Sequence, residues 1–265
     1  MPKEFERAVL TAHGEVAVLT MNHPETLNAI SVRMVRGLCA ALDEIEKPGS
    51  GFRAVVLTGE GRGFCSGANL MEAPGDAGAP LGPGSVLDAV FHPFLRRLRD
   101  LRLPLLTAVN GAAAGVGMSI ALMGDIVLAA RSAYFLQAFA RIGLVPDGGS
   151  TWLLPRLIGL ARAKELSLLA EKLPAETALE WGLINRVCDD PVLMGETLRM
   201  AARLAQGPTA TFAAVRRLYW ESPHNSYDEQ LDRERQRQDQ AARTEDFREG
   251  LQAFREKRPP QFRGR

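Results

Sequence analysis

One carboxylate stands out as a candidate to move a proton. Asp147 sits in Leu144-Val145-Pro146-Asp147-Gly148-Gly149-Ser150, after Ile142-Gly143 and before Trp152-Leu153-Leu154. An aspartate before two glycines is first of all a turn or cap residue. Among apolar neighbours, however, its pKa is pushed upward, which is what a general base working near neutral pH requires. Other reactive types are less well placed. Ser119, in Gly117-Met118-Ser119-Ile120-Ala121, falls one residue short of the G-x-S-x-G nucleophile elbow. A serine thioesterase would need His224, the sole histidine after Ser119, from a charged segment. A small helical residue is the simpler reading. Cys65 lacks a partner histidine and reads as a small buried residue. Two glycine-dense stretches, 59–67 and 111–117, invite a nucleotide-binding reading. G-x-G-x-x-G fails in both, at Phe64 and at Ile120, and no Gly-Lys pair exists for a phosphate loop.

The elements that must position these groups follow a β-loop-α rhythm. Residues 15–21 (EVAVLTM), 53–58 (RAVVLT), 105–109 (LLTAV) and 125–129 (DIVLA) read as strands, the last three nearly continuous apolar runs of the kind buried on both faces. Ser31 can cap a helix in which Val35, Leu38, Leu42 and Ile45 recur at steps of three and four. Further helices are expected over about 86–99 and, after the small residues of 111–117, to about Met123. The Gly, Pro and Ala content of 72–85 predicts a mobile loop. From about Thr151 onward the pattern is helical with no convincing strand. The charged C-terminal stretch, with Leu231, Phe247, Leu251 and Phe254 as apolar anchors, is expected to pack on the main domain or on a partner subunit. We therefore expect an α/β core domain over 1–200 and a helical region over 201–265.

Composition narrows the class. The 265 residues are 46% hydrophobic and 24% charged, with a net charge of +1. No basic field marks a nucleic-acid binder. The three cysteines, Cys39, Cys65 and Cys188, form no C-x-x-C pair, so neither disulfides nor a metal site is expected. No signal-peptide pattern opens the chain, and no window approaches the about 18 apolar residues of a membrane helix. A reduced, cytoplasmic protein without membrane or nucleic-acid partners is the expectation.

Two motifs carry a resemblance. Gly63-Phe64-Cys65-Ser66-Gly67-Ala68-Asn69-Leu70 resembles the first oxyanion loop of the crotonase (enoyl-CoA hydratase/isomerase) family, and Ala108-Val109-Asn110-Gly111-Ala112-Ala113-Ala114-Gly115-Val116-Gly117 resembles its second. Gly124-Asp125 and Leu157-Ile158-Gly159 fit in order, and the likeness runs from about Ala8 to Lys257-Arg258-Pro259-Pro260-Gln261-Phe262. The resemblance implies an α/β, crotonase-like spiral of ββα units with a C-terminal helical trimerisation region. It also implies an acyl-CoA substrate, coenzyme A being part of that substrate and no other cofactor being needed, and a homotrimer or dimer of trimers. Carried over residue by residue, the thioester oxygen rests on the main-chain N–H groups of Ala68 and Val116. The pantetheine and adenine lie along Thr26 to Ala29 and Ala68 to Leu70, Asn69 included. Lys257 approaches the phosphates, and Phe139, Trp152 and the segment 72–90 line the acyl pocket.

The departures inform as much as the matches. The hydratases of the family place two glutamates where this chain has Ser119 and Phe139, so two-carboxylate water addition is not expected. The region from Ala130 through Asp147 to Arg156 is similar to the ring-1,2-epoxyphenylacetyl-CoA isomerase and enoyl-CoA isomerase branch, whose aspartate matches Asp147. That branch usually has Gln-Asp where this chain has Ala68-Asn69, which leaves the acyl group open, and Thr26 replaces a frequent Lys or Arg. The resemblance implies an isomerase in which Asp147 shuttles a proton beneath an oxyanion-held enolate. The alternatives are a hydratase or hydrolase using Asp147 to activate water, and a non-catalytic CoA-thioester binding protein.

Overall fold

The computed structural model describes residues 1–71 and 83–265. The first three strands, β1 (Lys3–Phe5), β2 (Ala8–His13) and β3 (Val16–Met21), pair antiparallel. Helix α1 (Val32–Glu46) covers them and buries Met34, Val35, Leu38, Leu42 and Ile45, the face that the periodicity predicts. The Ser31 hydroxyl accepts the Met34 N–H at 3.3 Å, satisfying one orphan donor of the first turn.

Three ββ pairs follow, each with helix after it: β4 (Ala54–Gly59) and β5 (Gly63–Cys65), β6 (Leu105–Val109) and β7 (Ala112–Ala114), β8 (Ile126–Ala130) and β9 (Tyr134–Leu136). Within each pair the first strand joins a large sheet and the second a small one. The large sheet runs β1-β2-β3-β4-β6-β8-β11 and is parallel from β3 onward, closing on β11 (Arg186–Cys188). The small sheet runs β10-β9-β7-β5, with β5, β7 and β9 parallel and β10 (Leu173–Pro174) antiparallel at its edge. This repeated step is the ββα spiral. Because β5, β7 and β9 point the same way, the loops leaving them emerge side by side.

Several expectations are corrected. The stretch after Thr151 does contain strands, β10 and β11, and β1, β2, β5, β7 and β9 are equally absent from the pattern reading. Most are two or three residues long, too short for any period. Alanine has little strand preference of its own, so Ala112–Ala114 is extended because β5 and β9 flank it. The helix expected over 86–99 is broken into α2 (Pro83–Val86), a π-helical turn Leu87–Phe91 and α3 (His92–Asp100). Of the loop expected over 72–85, residues 72–82 lie outside the described ones. The 200/201 boundary falls inside α7 (Leu193–Ala205), which packs on β3, β4, β6 and β8 as part of the core.

Between β9 and α7 lie a short 3-10 turn (Ala138–Ile142), α5 (Ser150–Leu169) and α6 (Ala175–Glu180), and beyond α7 come α8 (Thr209–Glu221), α9 (Tyr227–Ala241) and α10 (Glu245–Glu256). No helix among the described residues is long and apolar enough to cross a membrane. An ion pair roots α8: Arg216 Nε lies 2.7 Å from Asp125, while its other nitrogens donate to the Leu98 and Leu101 carbonyls. Arg216 is 7% exposed, so removing its carboxylate strands a buried charge. Asp125→Ala is expected to lower stability by ~3–5 kcal/mol, read as a shifted denaturant midpoint at constant slope. The tail returns along α10, with the Asp246 carboxylate accepting the Arg263 and Gly264 N–H groups at 2.6 and 2.8 Å. It docks where Arg53 donates to the Phe262 carbonyl at 2.9 Å. The four expected anchors Leu231, Phe247, Leu251 and Phe254 are nonetheless all exposed in the single chain.

Candidate active site

The first loop is built on asparagines. Asn28, fully buried and at φ 56°, donates to the Glu60 and Gly63 carbonyls at 2.9 and 2.7 Å. Asn110 donates to the Gly59 and Gly61 carbonyls at 2.9 and 2.8 Å. Together they fix the turn that feeds β5. Beyond β5, Ile30 brackets Ala68: the Ile30 N–H donates to the Gly67 carbonyl and the Asn69 N–H to the Ile30 carbonyl, both at 2.8 Å. In such a parallel bridge Ala68 itself faces away from Ile30, and its N–H has no hydrogen-bond partner among the described residues. Gly67 at φ 112° makes the bend that turns this amide outward, a conformation L side chains rarely adopt.

The second loop supplies a matching donor. Helix α4 (Val116–Ala121) starts at Val116, so the Val116 N–H belongs to the first turn, where no intrahelical acceptor exists and the dipole favours negative charge. A Cβ built on Gly117 would meet the Cys65 carbonyl at 2.3 Å, which shows how tightly the start of α4 crosses β5. The two loops adjoin: a Cβ on Gly115 would lie 3.8 Å from the Gly67 Cα and 3.7 Å from the Phe139 ring. Phe139, on the 3-10 turn after β9, is buried and covers this corner.

Asp147 completes the cluster. Its carbonyl accepts the Ser119 hydroxyl at 3.1 Å and the Ser150 hydroxyl at 2.7 Å, so its main chain is pinned against α4. Gly148, at φ 62°, lies where a Cβ would come within 2.8 Å of the Ser119 Oγ and 3.2 Å of the Val116 Cγ2, so only glycine lets the turn approach. The Asp147 Oδ1 is buried and has no hydrogen-bond partner among the described residues. Burial pushes this carboxyl above the ordinary aspartate range, with the His92 charge pulling partly back. An unpartnered buried carboxylate is costly, and such sites concentrate where chemistry uses them.

The raised value has two consequences of fixed sign. A base must be ionised in the resting site, so kcat/KM is expected to fall as pH drops through the raised pKa, above the ~3.9 of a free aspartate. The folded state also binds the proton more tightly than the unfolded one. Stability therefore declines as pH climbs from the unfolded to the folded pKa. Asp147→Asn is accordingly expected to melt at a higher temperature than the parent at pH 7, with the difference vanishing in acid; equal melting at both pH values would contradict the placement.

Most of the predicted residues gather here. Ala29, Ala68, Asn69 and Leu70 flank the Ile30 bridge, and Val116, Phe139 and Asp147 surround the start of α4. Lys257 ends α10, and no hydrogen bond or ion pair among the described residues joins it to this cluster. Trp152 stacks on Trp220 with centroids 5.2 Å apart, on the α8 side of the Asp147 turn. Ser119 is fully buried and donates to a main-chain carbonyl, while His224 lies against Trp152 at 6.0 Å, so no triad forms. Burial drives the Cys65 thiol up to about 11, far from a thiolate nucleophile. Among the described residues no group of His, Cys, Asp and Glu could hold a metal ion. The sequence reading missed Asn28, His92 and the holding role of Ser119. An Asn-Gly pair does signal a turn at Asn110-Gly111, whereas nothing in the local pattern marks His92.

The doubly layered ββα spiral is a crotonase fold, and the chain belongs to the enoyl-CoA hydratase/isomerase family, whose model matches residues 11–265. It is 44% identical over 254 residues to the 1,2-epoxyphenylacetyl-CoA isomerase of Escherichia coli K12, covering 94% of this chain and 95% of that one. It is 46% identical over 250 residues to a probable enoyl-CoA hydratase of Rhodobacter capsulatus, with the same coverage of 94% and 95%. A crystal structure of an enoyl-CoA hydratase from Polaromonas sp. JS666 superposes with a TM-score of 0.89 at 34% identity, covering 97% of this chain and 99% of that one.

Proposed function

We propose that this chain is an acyl-CoA thioester isomerase that shifts a double bond or rearranges a ring epoxide, with Asp147 as its proton shuttle. The Asp147 carboxylate removes a proton from the acyl carbon beside the thioester or two bonds further on. The electron pair moves onto the thioester oxygen, where the Ala68 and Val116 N–H groups hold the enolate. Asp147 then delivers a proton to the other carbon, so no water is consumed, and exchange of the carboxyl proton with solvent between the two steps lets deuterium enter the product. Preorganised donors of this kind are worth ~10²–10³ in rate each. Ala29, Asn69 and Leu70 border the coenzyme A arm, Phe139 the acyl group, and Lys257 is assigned to the phosphates, from its own chain or a neighbouring copy. The exposed apolar anchors of α9 and α10 favour assembly as a trimer or a pair of trimers.

One observation carries the reading: the buried, unpartnered Asp147 Oδ1 beside α4, at positions where Ser119 and Phe139 offer no second carboxylate. Water addition in this family's two-carboxylate style lacks its second group. A hydratase working through Asp147 alone is the second reading, favoured by the likeness to the Rhodobacter capsulatus protein. Incubating 3-enoyl-, 2-enoyl- and epoxyphenylacetyl-CoA in heavy water separates the readings by mass. Isomerisation gives products of unchanged formula apart from deuterium at carbon, hydration adds the mass of water, and binding without exchange would leave only a thioester-binding protein.

A further inference from the structure

A cavity of about 670 Å³ opens on the Asp147 turn, bordered by Gly148, Gly149 and His92. That volume lies in the range of ligand pockets, roughly 300–1,000 Å³. It adjoins the site, because Gly148 is the residue wedged against Val116 and Ser119. Its floor is apolar, with Met123, Leu153 and Trp220, while its rim carries Arg96 and Arg99 from α3, Arg217 from α8 and Arg233 from α9. Glu221 is the one acidic residue among the described residues that line it. Arg99 and Arg217 are partly neutralised by Asp100, at 2.6 and 2.9 Å, and Arg217 also pairs with Glu221. Arg96 and Arg233 have no ion pair among the described residues, and they approach the cavity from different elements.

Building on the isomerase reading, we propose that this cavity receives the far end of the acyl group and that this end carries a carboxylate. An apolar floor beneath a guanidinium rim suits a chain that ends in an anion. Arginine meets a carboxylate with two parallel N–H donors, a geometry that a methyl terminus cannot use. A neutral chain of the same length would fill the floor but offer the exposed Arg96 and Arg233 no partner.

The test compares two 3-enoyl-CoA substrates of equal length, one ending in methyl and the other in carboxylate. The carboxylate is expected to raise kcat/KM about tenfold or more, the effect of one charge-assisted pair. In the double variant Arg96→Gln, Arg233→Gln the ratio between the substrates, in which general damage cancels, should fall to near one. Both arginines are exposed, so the variant is expected to fold. Dissociation constants of the two saturated thioesters, measured in parallel, decide the matter independently of turnover. A ratio at or below one in the parent overturns the proposal while leaving the isomerase reading intact. Turnover of neither substrate, with the carboxylated thioester still bound more tightly, would sink the isomerase reading alone. Inorganic phosphate that abolishes neither the preference nor the tighter binding supports the acyl carboxylate. Phosphate binding to the arginines with no preference between thioesters overturns it in favour of a free anion.

Discussion

Asp147→Asn is expected to reduce turnover by roughly 10²–10⁴-fold while leaving thioester binding nearly intact, the usual scale for loss of a positioned acid–base group. The amide keeps the shape of the carboxyl and leaves the main-chain carbonyl available to the Ser119 and Ser150 hydroxyls at 3.1 and 2.7 Å. The turn should therefore hold its place against α4. The loss should appear in kcat, with KM changed little, because the carboxylate acts on the reacting carbon and not on the coenzyme arm. Deuterium exchange at the acyl carbons is the sharper readout, since it reports proton removal even when the product equilibrium is unfavourable. Exchange at the parent rate in the variant would remove Asp147 from the reaction. With the melting comparison above, the same substitution separates a functional carboxylate from a structural one: activity and stability should move in opposite directions.

The second large effect concerns a single main-chain hydrogen atom. Val116→Pro deletes the N–H assigned to the enolate oxygen, and the position is one where proline is tolerated, because Val116 is the first residue of α4 and its N–H has no helical acceptor. A fall in kcat of ~10²–10³ is expected, with Val116→Ala as a control that keeps the amide and tests the side chain. Steady-state rates on the best thioester of the panel provide the measurement, and circular dichroism with thermal unfolding verifies the fold. If proline and alanine behave alike, the amide is not a donor in the transition state.

The central strands of the large sheet, β3, β4, β6 and β8, were legible because burial on both faces leaves little choice of residue. The runs at 105–109 and 126–130 are apolar apart from Thr107, and the structure places them as neighbouring parallel strands in the middle of the core. Helix α1 was equally legible from Ser31 and the repeat that follows it. The small sheet left no such trace. Its strands are short, and β7 is three alanines whose extension depends on neighbours far away in the chain. The C-terminal anchors were legible but their cover was not, for a related reason: a repeat of Leu and Phe shows that a face must be covered, but not by what.

For the site, chemistry was written locally and geometry was not. The apolar run around Asp147 pointed to a raised carboxyl pKa and the glycine-rich loops to close backbone approach, whereas the particular amides, Ala68 and Val116, came from the family resemblance and not from local pattern. Tertiary structure decided that residues 68, 116 and 147 share one corner, because three parallel strands end together and Gly148 lets the turn close on Ser119. It also decided that Ser119 serves as a strut, that His92 comes near enough for its charge to act on the acid, and that arginines from three helices ring one cavity. Such arrangements arise from contacts between segments far apart along the chain, where no local period or propensity can register them.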